Sequence, residues 1–159
     1  MMTPKDARYH IRSADPADAV ALSALAHRAK AHWEYPAEWI SAWTAELTLT
    51  PEYLGAHDGF VAMTGDDIVG VCMLELEGRR AELAHVWIAP DHHRRGIGRQ
   101  LVEQALGAAR RGGTLCVRVV SDPFAEPFYL QLGARRVSDV AAPMPGAEDR
   151  ILPLLEFAI

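Results

Sequence analysis

The sequence predicts a mixed α+β fold, with helices on both faces of a mostly antiparallel sheet of about six to seven strands. Short apolar segments separated by turn residues fill the middle of the chain, and segments with helical spacing lie before and between them. Two further strand-like segments close the chain. The length of 159 residues suits one domain with a core of ordinary size, so we expect a single domain over residues 1–159.

The first third of the chain predicts one strand and two helices. Residues 9–12 alternate in polarity as a strand does. Asp15 and Pro16 supply a capping residue followed by proline, and apolar residues then recur at helical spacing. A second helical stretch begins near Pro36, and the proline, glycine and polar residues of 48–58 lead us to expect a connection there.

The middle of the chain predicts an antiparallel meander of three strands. Its strands are expected at 60–63, 68–74 and 81–88, with turns at Gly65–Asp67 and Gly78–Arg79.

A long helix and the closing strands follow the meander. The expected elements are a helix from about Gly98 to Arg111, a strand at 114–120, a short helix at 125–132, and strands at 135–140 and 151–157. Glycines after both helices favour their termination.

Composition and charge exclude several functional classes. The chain is 50% hydrophobic and 23% charged, which is typical of a soluble globular protein. Apolar runs fall short of the roughly 20 residues that cross a bilayer. Residues 1–6 lack the apolar core of a secretory signal, so we expect a cytoplasmic protein. The formal net charge of −5 argues against nucleic-acid binding and favours a cationic partner.

The two cysteines predict neither a disulfide nor a metal site. Cys72 and Cys116 lie in separate apolar runs without CxxC spacing. We therefore expect both to be buried free thiols and the protein to hold no metal.

One segment, residues 86–101, carries the pattern of an anion site: a strand, a glycine-containing turn and the start of a helix. Early helical N–H groups lack partners within the helix and favour a phosphate. Gly96 and Gly98 let the backbone approach an anion closely. The alternative is a turn whose glycines serve only its shape. A P-loop ending is missing, and Leu101 stands where a dinucleotide fingerprint needs Gly or Ala.

The turn resembles the pyrophosphate signature Gln/Arg-x-x-Gly-x-Gly/Ala of the GNAT (GCN5-related) N-acetyltransferase superfamily. His93 stands where that family usually has Gln or Arg, which makes a side-chain role for His93 doubtful. The resemblance implies that backbone amides of the turn hold the pyrophosphate of acetyl-CoA and that the preceding strand pairs with the pantetheine arm. The cofactor-binding residues implied here are Val86, Trp87, Ile88, His93, Arg94, Arg95, Gly96, Ile97, Gly98 and Arg99.

A second segment, residues 122–134, resembles the family's Asn-x-x-Ala-x-x-Phe-Tyr-x-x-x-Gly-Phe. It departs from that pattern at Asp122 and Ala134 and matches at Ala125, Phe128, Tyr129 and Gly133. The resemblance implies that Tyr129 donates a proton or hydrogen bond to the CoA sulfur and that Asp122 belongs to the cofactor site. The alternative for Tyr129 is simple packing of a short helix.

Two residues of the third meander strand are candidates for the general base. A lysine-like amine has a pKa near ~10.4, so a base that removes its proton is valuable at neutral pH. Similar enzymes often place a carboxylate on this strand, so Glu82 is the first candidate and His85 the second. Strict alternation puts the two on opposite faces unless the strand is bulged. The alternative for each is a solvated or structurally bonded residue.

An aromatic segment precedes the second helix and is the candidate for binding the acceptor. The resemblance implies that Trp33, Glu34 and Tyr35 wall the acceptor pocket, where rings and a carboxylate suit a cation. Trp39 and Trp43, four residues apart, are expected to be ordinary core.

Together the two motifs predict an N-acetyltransferase that moves the acetyl group of acetyl-CoA to a primary amine of a small molecule or peptide. The alternatives are an acyl-CoA-binding sensor without turnover and a phosphate- or nucleic-acid-binding domain that uses Arg94, Arg95 and Arg99, which the acidic net charge disfavours. We expect no nucleic-acid or membrane partner, and a homodimer is a possible assembly.

Overall fold

The computed structural model describes residues 8–159, and its strands form a mixed, mostly antiparallel seven-stranded sheet. The strand order is β1-β2-β3-β4-β5-β7-β6, and β4 and β5 are the parallel neighbours. The strands are β1 (His10–Ser13), β2 (Asp58–Thr64), β3 (Asp67–Glu77), β4 (Arg80–Ile88), β5 (Cys116–Val120), β6 (Arg135–Ala141) and β7 (Ile151–Ala158). The predicted fold class is confirmed.

Five α-helices interrupt the strands in the part of the chain described here. They are α1 (Ala19–Ala31), α2 (Ala37–Ala42), α3 (Pro51–Ala56), α4 (Ile97–Arg111) and α5 (Glu126–Gln131). Asp15 caps a 3₁₀ turn over Pro16–Asp18 immediately before α1. The helix starts predicted from Asp15 and Pro36 are confirmed to within a few residues.

The prediction of a plain connection over residues 48–58 is wrong, because α3 lies within it. The Thr50 side chain caps this helix by accepting a hydrogen bond from the Tyr53 amide at 3.1 Å. Pro51 occupies the first helical position, where its fixed φ and missing N–H favour a helix start. Pro51, one of the residues that led us to expect a loop, is therefore the first residue of a helix.

The described chain divides into two compact units. The first contains the residues up to Leu74 together with His85–Ala105, and the second contains Glu75–Ala84 and Leu106–Ile159.

In the first unit, α4 packs closely on β3 because residue 70 is glycine. A Cβ at Gly70 would lie 2.9 Å from Leu101 Cδ1 and 3.1 Å from the side chains of Ile88 and Ile97. Leu101 and Ile97 belong to the first turns of α4, so this contact fixes where the helix begins relative to the sheet. The fully buried side chains here include Leu22, Leu25, Leu49, Val61, Val71, Met73, Leu74, Ile97, Leu101 and Val102.

Helices lie on both faces of the sheet in this unit. The ring of His85 on β4 lies edge-on to Tyr53 of α3, with centroids 5.6 Å apart. Ile88, three residues later on the same strand, faces α4 at the Gly70 contact. Since side chains alternate along a strand, the two helices cover opposite faces.

The second unit is built on β5 and β7, whose register pairs Arg118 with Glu156. Their side chains form an ion pair at 3.2 Å across the strands. The end of α4 in this unit is closed at Gly113, where φ is +82° and the Thr114 amide bonds to the Ala109 carbonyl at 2.9 Å. The buried apolar residues are Ala81, Leu83, Leu106, Ala109, Val117, Val119, Tyr129, Ala134, Leu155 and Phe157.

The two cysteines are free, but they differ in burial. Cys72 is fully buried on β3, and burial raises the pKa of its thiol to about 12. Cys116 is only half-buried, so the prediction of burial is wrong in degree for this residue. It is the first residue of β5, where the strand emerges from the loop after α4.

Within residues 8–159, the helices are too short or too polar to span a bilayer. The expectation about a secretory signal concerns residues 1–6, which lie outside the described residues.

We predict that Gly70→Ala destabilises the protein by about 1–3 kcal/mol, because the new methyl group must displace packed side chains of α4. Gly55→Ala is the matched control, since its Cβ would meet Pro16 Cγ at an ordinary 3.7 Å. Neither glycine has a positive φ. Urea unfolding of both variants measures the difference, and equal stability would contradict the close approach of α4 to β3.

Candidate active site

The candidate cofactor turn lies between β4 and α4. The end of β4 is tied to β3 by the Ala89 amide, which bonds to the Val69 carbonyl at 2.9 Å. The chain then makes a 3₁₀ turn over Pro90–His92 and adopts positive φ at Arg94 (+63°) and Gly96 (+79°). A Cβ at Gly96 would meet no atom within 4 Å, so the left-handed conformation rather than space favours glycine there.

The first turn of α4 presents backbone donors as the sequence predicts. The Gln100 amide bonds to the Gly96 carbonyl at 3.1 Å, which begins the helical hydrogen-bond pattern. The amides of residues 97–99 precede that bond and have no carbonyl partner within the helix. Together with the helix dipole, these N–H groups form a site suited to a phosphate.

Two arginines of the turn, Arg95 and Arg99, make side-chain hydrogen bonds within residues 8–159. Arg95 donates to the Tyr9 hydroxyl at 3.1 Å and lies 3.4 Å from His92 Nδ1. Arg99 donates to Glu103 Oε1 at 2.9 Å along the exposed face of α4. The side chain of Arg94 is exposed. The predicted contact of any of these guanidinium groups with a phosphate stays a prediction.

His93 joins the end of α1 to the cofactor turn. Its ring stacks on Trp33 with centroids 6.1 Å apart and an interplanar angle of 23°, and it meets His32 edge-on at 5.1 Å. Its side chain also hydrogen-bonds to the Ile88 backbone. Sequence reasoning missed this contact, because it assigned Trp33 to the acceptor and the turn to the cofactor. The one available signal was the unusual residue type at 93.

Glu82 has the features of a carboxylate that could act as a base. Burial raises the pKa of Glu82, and the negative charges of Glu75 and Glu77 raise it further. Glu82 is nevertheless an exposed residue of β4, so solvent reaches its carboxylate. In the register of β4 and β5 it lies opposite Arg118, whose guanidinium pairs with Glu156.

His85 is less suited to accept a proton. Its Nδ1 accepts a hydrogen bond from the Trp87 indole Nε1–H at 3.0 Å. In a neutral imidazole one nitrogen is the acceptor and the other carries the proton. The basic nitrogen of His85 is therefore already bound by Trp87, which favours Glu82 of the two candidates.

Tyr129 lies within the core of the second unit. It is 5% exposed, and its ring meets Phe128 at 5.0 Å and Phe157 at 6.5 Å, edge-on in both cases. These contacts show that the ring of Tyr129 packs in the core. The role of its hydroxyl toward the CoA sulfur stays a prediction.

Asp122 has a local structural role at the turn before α5. Its Oδ1 accepts from the Phe124 amide at 2.9 Å, and its carbonyl accepts from the Ala125 amide at 2.9 Å. An asparagine side-chain oxygen could accept the same bond, which explains why Asp is tolerated where the family has Asn. Its role in cofactor binding stays a prediction.

The three residues predicted to bind the acceptor do not share one environment. Trp33 stacks on His93, and Glu34 ends the helical segment with a left-handed φ of +60°. Tyr35 instead contacts two tryptophans on and just after α2: it meets Trp43 edge-on at 5.1 Å and stacks on Trp39 at 5.9 Å.

A lysine of the chain contacts two rings of the cluster formed by Tyr35, Trp39 and Trp43. Lys30 Nζ lies 4.3 Å from the centroid of Trp43 and 4.9 Å from that of Tyr35, which is a cation–π geometry. Trp43 is buried and Trp39 half-buried, so the expectation of ordinary core holds fully only for Trp43.

Comparison with known proteins decides the family. The description "Acetyltransferase (GNAT) family" matches residues 24–134, which include the candidate turn, β4 and α5. The chain belongs to the GNAT acetyltransferase family. A comparison with curated proteins gave no significant match.

Solved GNAT structures share the fold of this chain at low sequence identity. The PaiA N-acetyltransferase of Thermoplasma acidophilum, in complex with coenzyme A, is 18% identical with a TM-score of 0.77, over 96% of this chain and 99% of that one. The ribosomal-protein-S18-alanine N-acetyltransferase of Escherichia coli is 17% identical with a TM-score of 0.73, over 96% and 94%.

Among residues 8–159, no three His, Cys, Asp or Glu side chains are grouped as they would be to hold a metal ion. The GNAT family and the coenzyme A of the Thermoplasma structure instead imply acetyl-CoA as the cosubstrate.

Proposed function

We propose that this protein is an N-acetyltransferase that transfers the acetyl group of acetyl-CoA to a primary amine of a small molecule or peptide. The observation that carries the proposal is the strand–turn–helix of the first unit. There the left-handed residues Arg94 and Gly96 lead into a helix whose first amides, at 97–99, have no partner within that helix.

The residues of the turn fit the phosphates of the cosubstrate through backbone groups. The amides of residues 97–99 would donate to the pyrophosphate, which explains why a histidine at position 93 is compatible with binding. Backbone groups of Val86, Trp87 and Ile88 would pair with the pantetheine arm, and one N–H of this stretch would stabilise negative charge on the thioester oxygen.

The reaction is a direct attack on the thioester. The amine nitrogen forms a bond to the acetyl carbon while its proton passes to Glu82, directly or through water. A carboxylate whose pKa is raised by burial and by Glu75 and Glu77 is a stronger base than an ordinary glutamate. His85 is the second candidate, and its bond from Trp87 Nε1 argues against it.

The carbon–sulfur bond then breaks, and the CoA thiolate leaves. Tyr129 would donate a proton or hydrogen bond to that sulfur. A thiol with a pKa near ~8.5 leaves readily, so this assistance should raise the rate without being indispensable.

The acceptor is proposed to be a cationic amine that reaches the exposed ring of Trp33. The net charge of −5 favours such a substrate. The E. coli neighbour is named for acting on a ribosomal-protein alanine, so a peptide acceptor stays among the candidates. We propose a cytoplasmic protein without nucleic-acid, membrane or metal partners, and a homodimer as a possible assembly.

The direct test of the proposal is release of free CoA thiol from acetyl-CoA in the presence of single amines. A panel should contain polyamines, amino acids, aminoglycosides and short peptides with free N-termini. Turnover with one of these classes supports the enzyme. Binding of acetyl-CoA without turnover of any amine would favour the alternative, an acyl-CoA sensor.

Gly98→Val is predicted to weaken CoA binding about tenfold or more, since the branched side chain blocks approach of the pyrophosphate to the α4 amides. Gly107→Val is the matched control, because it adds the same side chain in the middle of the same helix. Calorimetry with CoA measures both. Equal affinities for the two variants would remove the turn as the phosphate site.

Glu82→Gln should lower kcat about 10²-fold with little change in CoA affinity, as expected for loss of a general base. In the wild type, the rate should rise with pH as Glu82 loses its proton, and its raised pKa places that rise above pH 4.5. The variant should lack this rise. Glu77→Gln is the comparison variant: it removes a charge that raises the pKa of Glu82, so it should move the rise to lower pH without abolishing it. A Glu82→Gln profile that matches the wild type would assign the base elsewhere.

Tyr129→Phe keeps the ring that packs on Phe128 and Phe157 and removes only the hydroxyl. We expect kcat to fall about tenfold while the midpoint of thermal unfolding stays close to that of the wild type. Phe128→Leu, which alters the neighbouring ring, is the control for packing. Unchanged turnover in Tyr129→Phe would leave this residue with a packing role alone.

A further inference from the structure

His93 makes three contacts, one with the end of β4 and two with the adjacent residues His32 and Trp33 after α1. Its side chain hydrogen-bonds to the Ile88 backbone at the end of β4. Its ring stacks on Trp33, with 6.1 Å between centroids, and meets His32 edge-on at 5.1 Å. His93, a residue of the turn, therefore contacts both the end of β4 and the segment that follows α1.

The α1 side of this contact is structurally well defined. The Trp33 amide bonds to the Lys30 carbonyl at 3.3 Å, and the Glu34 amide bonds to the Ala31 carbonyl at 3.2 Å. Glu34 then reverses the chain with a φ of +60°. Trp33 thus lies in the turn that follows α1, and 36% of its surface is open to solvent.

The cofactor side is equally constrained. His93 directly precedes Arg94, the first left-handed residue of the turn. The hydrogen bond from its side chain to the Ile88 backbone links the turn to the end of β4. A ligand that contacts the turn therefore also acts on the environment of the His93 ring, which stacks on Trp33.

We propose that His93 is a positioning residue that couples CoA bound at the turn to Trp33 on the acceptor side. This inference rests on the proposed function and adds to it that the two substrate sites communicate through one stacked pair. By linkage, a ligand that orders Trp33 should change the affinity for CoA by the same factor as CoA changes the affinity for that ligand.

The charge state of His93 suits this role. Burial lowers the pKa of His93, and the neighbouring His32 and Arg94 lower it further, whereas the bond to the Ile88 backbone and the charge of Asp91 oppose the change. The neutral form of the ring is therefore favoured more than in an ordinary histidine. A neutral ring donates one hydrogen bond to the Ile88 carbonyl and stacks on the indole without a desolvated charge.

The two interactions of His93 can be separated by substitution. His93→Gln keeps an N–H donor for the Ile88 carbonyl and removes the ring. His93→Phe keeps a ring for Trp33 and removes the donor. If His93 couples the sites as proposed, the variant that keeps the N–H donor should retain more of the affinity for CoA. The variant that keeps the ring should retain the response of Trp33 to CoA.

The experiment is a CoA titration followed by calorimetry and by tryptophan fluorescence. Subtracting the spectra of the matching Trp33→Phe proteins isolates the emission of Trp33 from that of Trp39, Trp43 and Trp87. In the wild type, saturating CoA should change the Trp33 emission. His93→Gln should bind CoA with a smaller loss of affinity than His93→Phe and should lose the Trp33 change. His93→Phe should retain the change and bind CoA about fivefold more weakly, because the turn loses a hydrogen bond that holds it in its binding-competent conformation.

Three results would overturn the inference, and calorimetry separates them from failure of the proposed function. CoA binding to the wild type without a change in Trp33 emission would show that the sites are not coupled. A change that persists in His93→Gln would show that the response reaches Trp33 by another route. Absence of CoA binding to the wild type would overturn the proposed function and the coupling together. Thermal unfolding of each variant confirms that it is folded before titration.

Discussion

The contact of α4 with β3 at Gly70 is the constraint on which the candidate site depends. Because residue 70 has no Cβ, Ile97 and Leu101 approach the strand closely, and Ile88 of β4 packs against the same point. The Ala89 amide ties the strand end to β3 beside it. The strand end and the helix start are therefore fixed together, and the turn between them can hold its left-handed residues and aligned amides before any ligand binds.

Local signals were sufficient to predict most of this arrangement from the sequence. Proline after β4, glycine at 96 and the apolar periodicity of α4 each act within a few residues, so strand, turn and helix follow from short-range rules. The exception is α3, since Pro51 favours a helix start as readily as a loop and the cap from Thr50 decides between them. The half-buried position of Cys116 also depends on which residues surround the start of β5, and an apolar run does not determine that.

Contacts between distant segments could not be predicted in this way. Trp33 and His93 are far apart in sequence, and only the packing of α1 beside the turn brings their rings together. The hydrogen bond from Arg95 to Tyr9 is another contact of this kind. Trp33 and Tyr35, which the sequence analysis placed together on the wall of the acceptor pocket, contact different rings in the structure. The departure from the family pattern at His93 was visible in the sequence, but its partner was not.

The measurement that tests the central claim most directly is thermal unfolding of the wild-type protein with saturating acetyl-CoA, CoA or ATP. A ligand that binds only the folded state stabilises it by RT ln(1 + [L]/Kd), about 2.7 kcal/mol at a hundred times Kd. The account predicts a clear rise in the unfolding midpoint with acetyl-CoA and with CoA, and little change with ATP. An unchanged midpoint with all three would mean that the turn before α4 holds no cosubstrate, and it would contradict the assignment of acetyltransferase activity to this chain.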